Sequence, residues 1–158
     1  MIILGIDPGY AIVGYGVLEY TGGKFRVIEY GAITTSKDTD MFLRFKQIYD
    51  ELTDVITRVA PDVLAIEELF FNTNTKTAIN VAQARGVIIL AAMNARLSVL
   101  EYTPLQVKQA VTGYGRADKN QIQQMVKLLL NLESVPKPDD TADALAIAIC
   151  AAHSHQIR

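Results

Sequence analysis

Ile2-Ile3-Leu4-Gly5-Ile6-Asp7-Pro8-Gly9 opens the chain as a buried strand with a carboxylate at its end. Asp is disfavoured in strands, and a buried carboxylate is costly unless something pairs with it. A cation could be that partner. Asp-Pro-Gly is also ordinary turn chemistry, and on this stretch alone a structural turn residue is the favoured reading.

Working outward, the pattern repeats. Val63–Leu69 reads as a second buried strand, ending in Glu67 and Glu68, and Leu97–Tyr102 as a third. Between the first strand and these lie Val13–Tyr20, a Thr21-Gly22-Gly23-Lys24 hairpin signal and Phe25–Tyr30, with Gly31–Thr35 extending that strand. Met41, Phe42, Phe45, Ile48, Tyr49, Leu52, Val55, Ile56 and Val59 recur at helical spacing, with Asp40 or Thr39 as N-cap and Pro61 closing the helix. An alanine-rich helix follows from about Lys76 to Ala95, with Ala78, Val81, Ala82, Arg85, Ile88, Ile89 and Ala92 on one broad face. Thr103-Pro104 starts a helix that ends at Gly113. Asp118 caps another, Lys119 to about Leu132, and Asp139 to Asp143 opens the last, running through Ala144–Ala152.

The order β-β-β-α-β-α-β-α-α-α predicts an α/β fold: a mixed five-stranded sheet, three antiparallel strands then parallel ones, with helices on both faces. Right-handed crossovers make the first strand, 63–69 and 97–102 parallel. Ligands in such sheets bind beyond the carboxyl ends of parallel strands, where Asp7 and Glu67 stand. No repeat or linker interrupts the chain, so 1–158 reads as a single domain.

Hydrophobic residues make up 50% and charged residues 20%, which excludes a disordered chain. No apolar run is long enough to span a membrane, and no basic segment precedes an apolar one at the N-terminus. A single cysteine, Cys150, in an apolar helical run, fits a reducing, cytoplasmic setting. Net charge is −2, which argues mildly against nucleic-acid binding. The distribution is uneven, however. From Pro104 to Leu130, four basic residues, Lys108, Arg116, Lys119 and Lys127, face only Asp118.

Asp140 and Asp143 share a helix face. Acidic residues in a first helical turn are favoured by the dipole, which accounts for Asp139 and Asp140. Asp143 is followed by Ala-Leu-Ala-Ile-Ala-Ile, so it belongs to a buried helix and faces inward. If Asp7, Glu67, Asp140 and Asp143 converge, they need compensating charge, and hard divalent cations supply it. There is no His/Cys cluster for zinc; His153 and His155 fall near a fraying end. No Walker loop, dinucleotide glycine motif or Ser/His/Asp signature appears.

Leu4-Gly5-Ile6-Asp7-Pro8-Gly9 with Gly14-Tyr15-Gly16-Val17, Ala65-Ile66-Glu67, Gln83-Ala84-Arg85-Gly86-Val87, Gln106-Val107-Lys108-Gln109 and Asp140-Thr-Ala-Asp143-Ala-Leu-Ala-Ile-Ala closely resemble the RuvC family of bacterial Holliday junction resolvases. The pieces are weak singly, but they cover essentially the whole chain in order. The resemblance implies an RNase H-like fold, a homodimer, and metal-dependent symmetric nicking of two opposing strands of a four-way DNA junction in recombination and repair. Asp7, Glu67, Asp140 and Asp143 fall on the family's acidic positions, implying catalytic and metal-binding roles with two Mg²⁺ per site, Mn²⁺ able to substitute. The alignment of motifs demotes Asp139 and Glu68. Tyr10 departs from a position often small and polar in the family.

Lys108 and Lys119 fall on basic positions the family uses near the scissile phosphate, and Phe70 on an aromatic that inserts at the junction; Phe71 is the weaker candidate. Arg116, in the Gly113–Ala117 loop, is a further candidate DNA contact. Taken generically, such a charge run is a solvated face. The helix from Lys76 lies where the family dimerises, although plain core packing also explains its composition. RuvA and RuvB are partners by family inference alone. Two rivals stand beside this reading. A non-catalytic four-way-junction binding module would be expected to lose acidic positions. Actin-like and sugar-kinase phosphate-binding folds need a duplicated half that this length does not provide.

Overall fold

The computed structural model describes residues 1–69 and 75–155. Five strands, β1 (Ile2–Asp7), β2 (Ile12–Thr21), β3 (Lys24–Thr34), β4 (Val63–Glu67) and β5 (Ser98–Tyr102), form one sheet in the order β3-β2-β1-β4-β5. The β1–β2 and β2–β3 pairs are antiparallel, whereas β1–β4 and β4–β5 are parallel. The helices are α1 (Met41–Val59), α2 (Thr75–Asn94), α3 (Pro104–Thr112), α4 (Lys119–Leu129) and α5 (Asp139–His155).

Side chains alternate across a strand with period two, and here the alternation sorts the molecule into two cores. Leu4, Ile6, Val13, Val17, Leu64 and Ile66 point to one face and pack against α1 and α2. Ile3, Leu18, Val63 and Ala65 point to the other, against α3, α4 and α5. Helix α5 is the centre of that second core. Leu145, Ile147 and Ile149 are fully buried, each contributing about 1.5–3 kcal/mol by burial. An almost wholly apolar helix holds its place by packing rather than by propensity.

A strip of glycines brings α5 onto the sheet. A Cβ on Gly5 would stand 2.2 Å from the Ala144 carbonyl oxygen, and one on Gly14 only 2.0 Å from that of Asp140. Gly16 lies beneath Leu145 in the same row. Only residues without a Cβ permit this approach. Thr141, fully buried, adds a hydrogen bond from its hydroxyl to the Gly31 carbonyl at 3.2 Å.

The turns and caps follow local chemistry. Asp40 accepts from the Phe42 amide at 2.9 Å, and Thr103 with Gln106 and Asp118 with Gln121 each form a capping box. Ala60, in the left-handed region with φ of 46°, ends α1 just before Pro61.

Several expectations are corrected. Phe42 is 78% exposed, whereas Arg44 is buried at 6%. Helix α1 therefore turns Arg44, Ile48, Leu52, Val55 and Ile56 inward. Arg44 donates to the Thr35 hydroxyl at 2.8 Å, Thr35 donates to the Tyr10 carbonyl at 2.5 Å, and the guanidinium lies over the Tyr10 ring. A cation over an aromatic face offsets part of its desolvation. Strand β5 is an edge strand with Ser98 and Glu101 exposed, not a buried strand. Helix α4 ends at Leu129 rather than Leu132, with Asn131 in the left-handed region, and β4 ends at Glu67 rather than Leu69. His153 is not frayed: its Nδ1 is 3.0 Å from the Ala110 carbonyl and its ring packs against Phe25 and Tyr20. Among the described residues, no helix is long and apolar enough to cross a membrane.

Candidate active site

The parity that builds the cores also builds the site. Asp7 shares its face with Ile3 and Gly5, and Glu67 shares its face with Val63 and Ala65. Both carboxylates therefore rise at the ends of adjacent parallel strands on the side covered by α5. Asp7 is opposite Gly14 in the β1–β2 register, and Gly14 carries the backbone of Asp140 against it. One turn later α5 presents Asp143. All four side chains are half-buried.

Their mutual effect on protonation shows the convergence. Burial, then the charges of Asp143, Asp140 and Glu67, push the Asp7 carboxyl up to about 8, with Lys119 opposing. Burial and then Asp143 raise Glu67, opposed by Lys108. Burial also raises Asp143, against Lys119 and a hydrogen bond with Asp7. Among the described residues, no three acidic, His or Cys side chains stand close enough together to hold a metal ion. The donor set is nonetheless all oxygen, anionic and short of counter-charge, which suits hard divalent cations rather than zinc.

Lys119, at the start of α4, is 3.8 Å from Asp143 and 3.4 Å from Asp139. Asp139 is also paired with Lys137 at 3.0 Å, so two lysines engage it. Glu68 is exposed, its amide donating to the Tyr102 carbonyl at 2.8 Å. A cavity of about 280 Å³ opens beside the cluster, lined by Glu67, Asp143, Lys108 and Lys119 above Val107 and Ile147. Arg116 is exposed in the turn before α4, and the cavity lining does not include it. Phe70 and Phe71 lie outside the described residues.

The pH dependence of the metal-free protein follows. A carboxyl held at about 8 in the fold and 3.8 in the open chain binds more protons when folded. Its contribution to stability is full below about pH 4 and is lost as pH rises through about 8. Glu67 and Asp143 act with the same sign. Asp139 and Glu29 are lowered, so their contribution fails only at acid pH. In EDTA the thermal midpoint is therefore expected to fall between pH 5 and 8, and Asp7→Asn to flatten that slope. Equal slopes in the two proteins would refute the buried, protonated state.

Carboxylates at the ends of two parallel strands, facing a helix laid over a sheet of order 3-2-1-4-5 with an antiparallel edge, define an RNase H-like protein. The chain belongs to the RuvC family: the family model described as "Crossover junction endodeoxyribonuclease RuvC" matches residues 3–151. Relatives of that name include one from Alkaliphilus oremlandii, 64% identical over 98% of this chain and 94% of its own. Another, from Halothermothrix orenii, is 58% identical over 99% and 95%. Among solved structures, a Thermus thermophilus RuvC in complex with a Holliday junction substrate superimposes with a TM-score of 0.95. It is 36% identical and covers 99% of this chain and 96% of that one. The yeast mitochondrial Holliday junction resolvase Ydc2 shares the fold, with a TM-score of 0.68 at 16% identity.

Asp7, Glu67, Asp140 and Asp143, singled out in the sequence, influence one another's protonation in the fold, and Lys119 lies 3.8 Å from Asp143. Sequence reasoning missed Arg85 as a contributor. Arg85 carried only a family signal, within Gln83–Val87, and stood among the apolar residues of a presumed packing face.

Proposed function

We propose that this protein resolves four-way DNA junctions by metal-dependent nicking of two symmetric strands. The observation that carries the reading is the crowding of Asp7 by the charges of Asp143, Asp140 and Glu67, next to a cavity lined by Glu67, Asp143, Lys108 and Lys119, in a chain of the RuvC family. The four carboxylates would hold Mg²⁺, with Mn²⁺ as a substitute. Two such ions, when bound, supply charge stabilisation to the attacking and leaving oxygens of an in-line displacement at phosphorus.

This chain's own residues do the rest. Asp7, Glu67 and Asp140 concentrate negative charge at one point, and Asp143 holds a proton-accepting oxygen at its edge. Lys108 and Lys119, which line the same cavity, approach the DNA backbone, making binding salt-dependent. The P–O3′ bond breaks as water adds to phosphorus, giving a 5′-phosphate and a 3′-hydroxyl. Homodimerisation, with α2 as the candidate interface, would set two sites against two symmetric strands. Phe70, Arg116 and the partners RuvA and RuvB extend the reading by family resemblance.

The test compares a synthetic four-way junction with linear duplex of the same sequence, in Mg²⁺ and in EDTA. Paired symmetric nicks in the junction only, lost in EDTA, are expected. Binding without cutting in any divalent metal would transfer the protein to the binding-module reading.

A further inference from the structure

Glu67, like Asp7, is the last residue of its strand, since β4 ends on it. Glu67 is paired with Tyr102 at the end of the β4–β5 ladder, so its side chain points reliably only if the peptide that follows is also held. That peptide is held at both polar groups. The amide of Glu68 donates to the Tyr102 carbonyl of β5 at 2.8 Å. The carbonyl of Glu67 accepts from Nε of Arg85, on α2, at 3.3 Å. The same guanidinium makes an ion pair through Nη2 with Glu101 of β5. Arg85 is 13% exposed in its side chain, against 52% for Glu101. A mostly buried guanidinium thus joins α2, the end of β4 and β5 at one point.

We infer that Arg85 is a positioning residue for the metal-binding carboxylate of Glu67, a role that rests on the metal-dependent reading above. It acts through the Glu67–Glu68 peptide and touches neither DNA nor the ions. The planar fork is what matters: Nε serves the carbonyl while Nη2 serves Glu101. An ammonium is a point charge and cannot span both in that geometry. Groups that orient a ligand from outside typically change metal affinity 10–100-fold, roughly, when removed.

The experiment measures Mn²⁺ binding to the full-length protein by calorimetry without DNA, together with thermal midpoints in EDTA. Arg85→Gln is expected to weaken Mn²⁺ binding by about 10–100-fold. Arg85→Lys, which retains charge beside Glu101, is expected to recover the midpoint but not the affinity. Should Arg85→Gln fail to fold, Arg85→Lys carries the same reading. A lowered midpoint with wild-type Mn²⁺ affinity, or recovery of affinity by lysine, overturns the inference and leaves Arg85 a structural ion pair. Wild-type protein that binds no Mn²⁺ would instead sink the metal reading itself.

Discussion

Asp7→Asn is expected to reduce junction cleavage by about a thousandfold or more while leaving junction binding in EDTA intact. Asparagine keeps the shape of the side chain and one oxygen but removes the charge. Asp7 is the carboxylate on which the other three act: Asp143, Asp140 and Glu67 all raise it. A cation that relieves this crowding gains most of its attraction there. Several kcal/mol of charge stabilisation are at stake in such sites, and each ~1.4 kcal/mol is a tenfold change in rate. Binding should survive because the cationic rim, Lys108 and Lys119, is untouched, and removing a negative charge eases the approach of phosphate. Single-turnover cleavage with mobility-shift binding measures both quantities. Robust cutting by the variant would remove Asp7 from the machinery.

Gly14→Ala is expected to cost about 3 kcal/mol or more in folding stability and to lose activity in whatever fraction folds. The added methyl would stand 2.0 Å from the Asp140 carbonyl oxygen and 2.3 Å from its carbonyl carbon. Overpacking is cheap when the obstacle is the tip of a flexible side chain. Here it is the backbone of the first turn of α5, whose later turns are fixed by Leu145, Ile147 and Ile149. The helix must tilt away from the sheet at its N-terminal end, the end that carries Asp140 and Asp143. Urea denaturation measures the first effect and cleavage by refolded protein the second. Wild-type stability in the variant would mean that α5 is held less closely than the glycine strip implies.

The sequence made much of this arrangement legible because its signals are local. The alternation of β1, the caps at Asp40, Thr103 and Asp118, and the carboxylates at strand ends are each written within a few residues. What escaped depends on distant partners. Phe42 counted as core by periodicity, but the phase of α1 is set by what its first turn meets, namely Tyr10 and Thr35, and these take Arg44. Strand β5 was expected to be buried, yet it pairs only with β4 and leaves Ser98 and Glu101 exposed. His153 looked terminal, but α3 and the β2–β3 hairpin supply it with a carbonyl and two rings. The fork at Arg85 joins residues 16 and 18 positions away, beyond any local pattern.

The strand parity has a consequence for how such a chain can change over generations. Substituting Ile6 or Ile66 by another apolar residue alters a core by a methyl or two and leaves both carboxylates where they are. Removing one residue from between Ile2 and Asp7 is a different event, since every later side chain of β1 would then exchange faces and the carboxylate would be delivered to α1 and α2. Outside Gly5, Asp7 and Glu67, inherited spelling in these strands is therefore free to drift among apolar residues, while their inherited length is not. A lineage can rewrite the apolar letters of β1 and β4 one by one, but a single-codon deletion inside either one ends the site at a stroke.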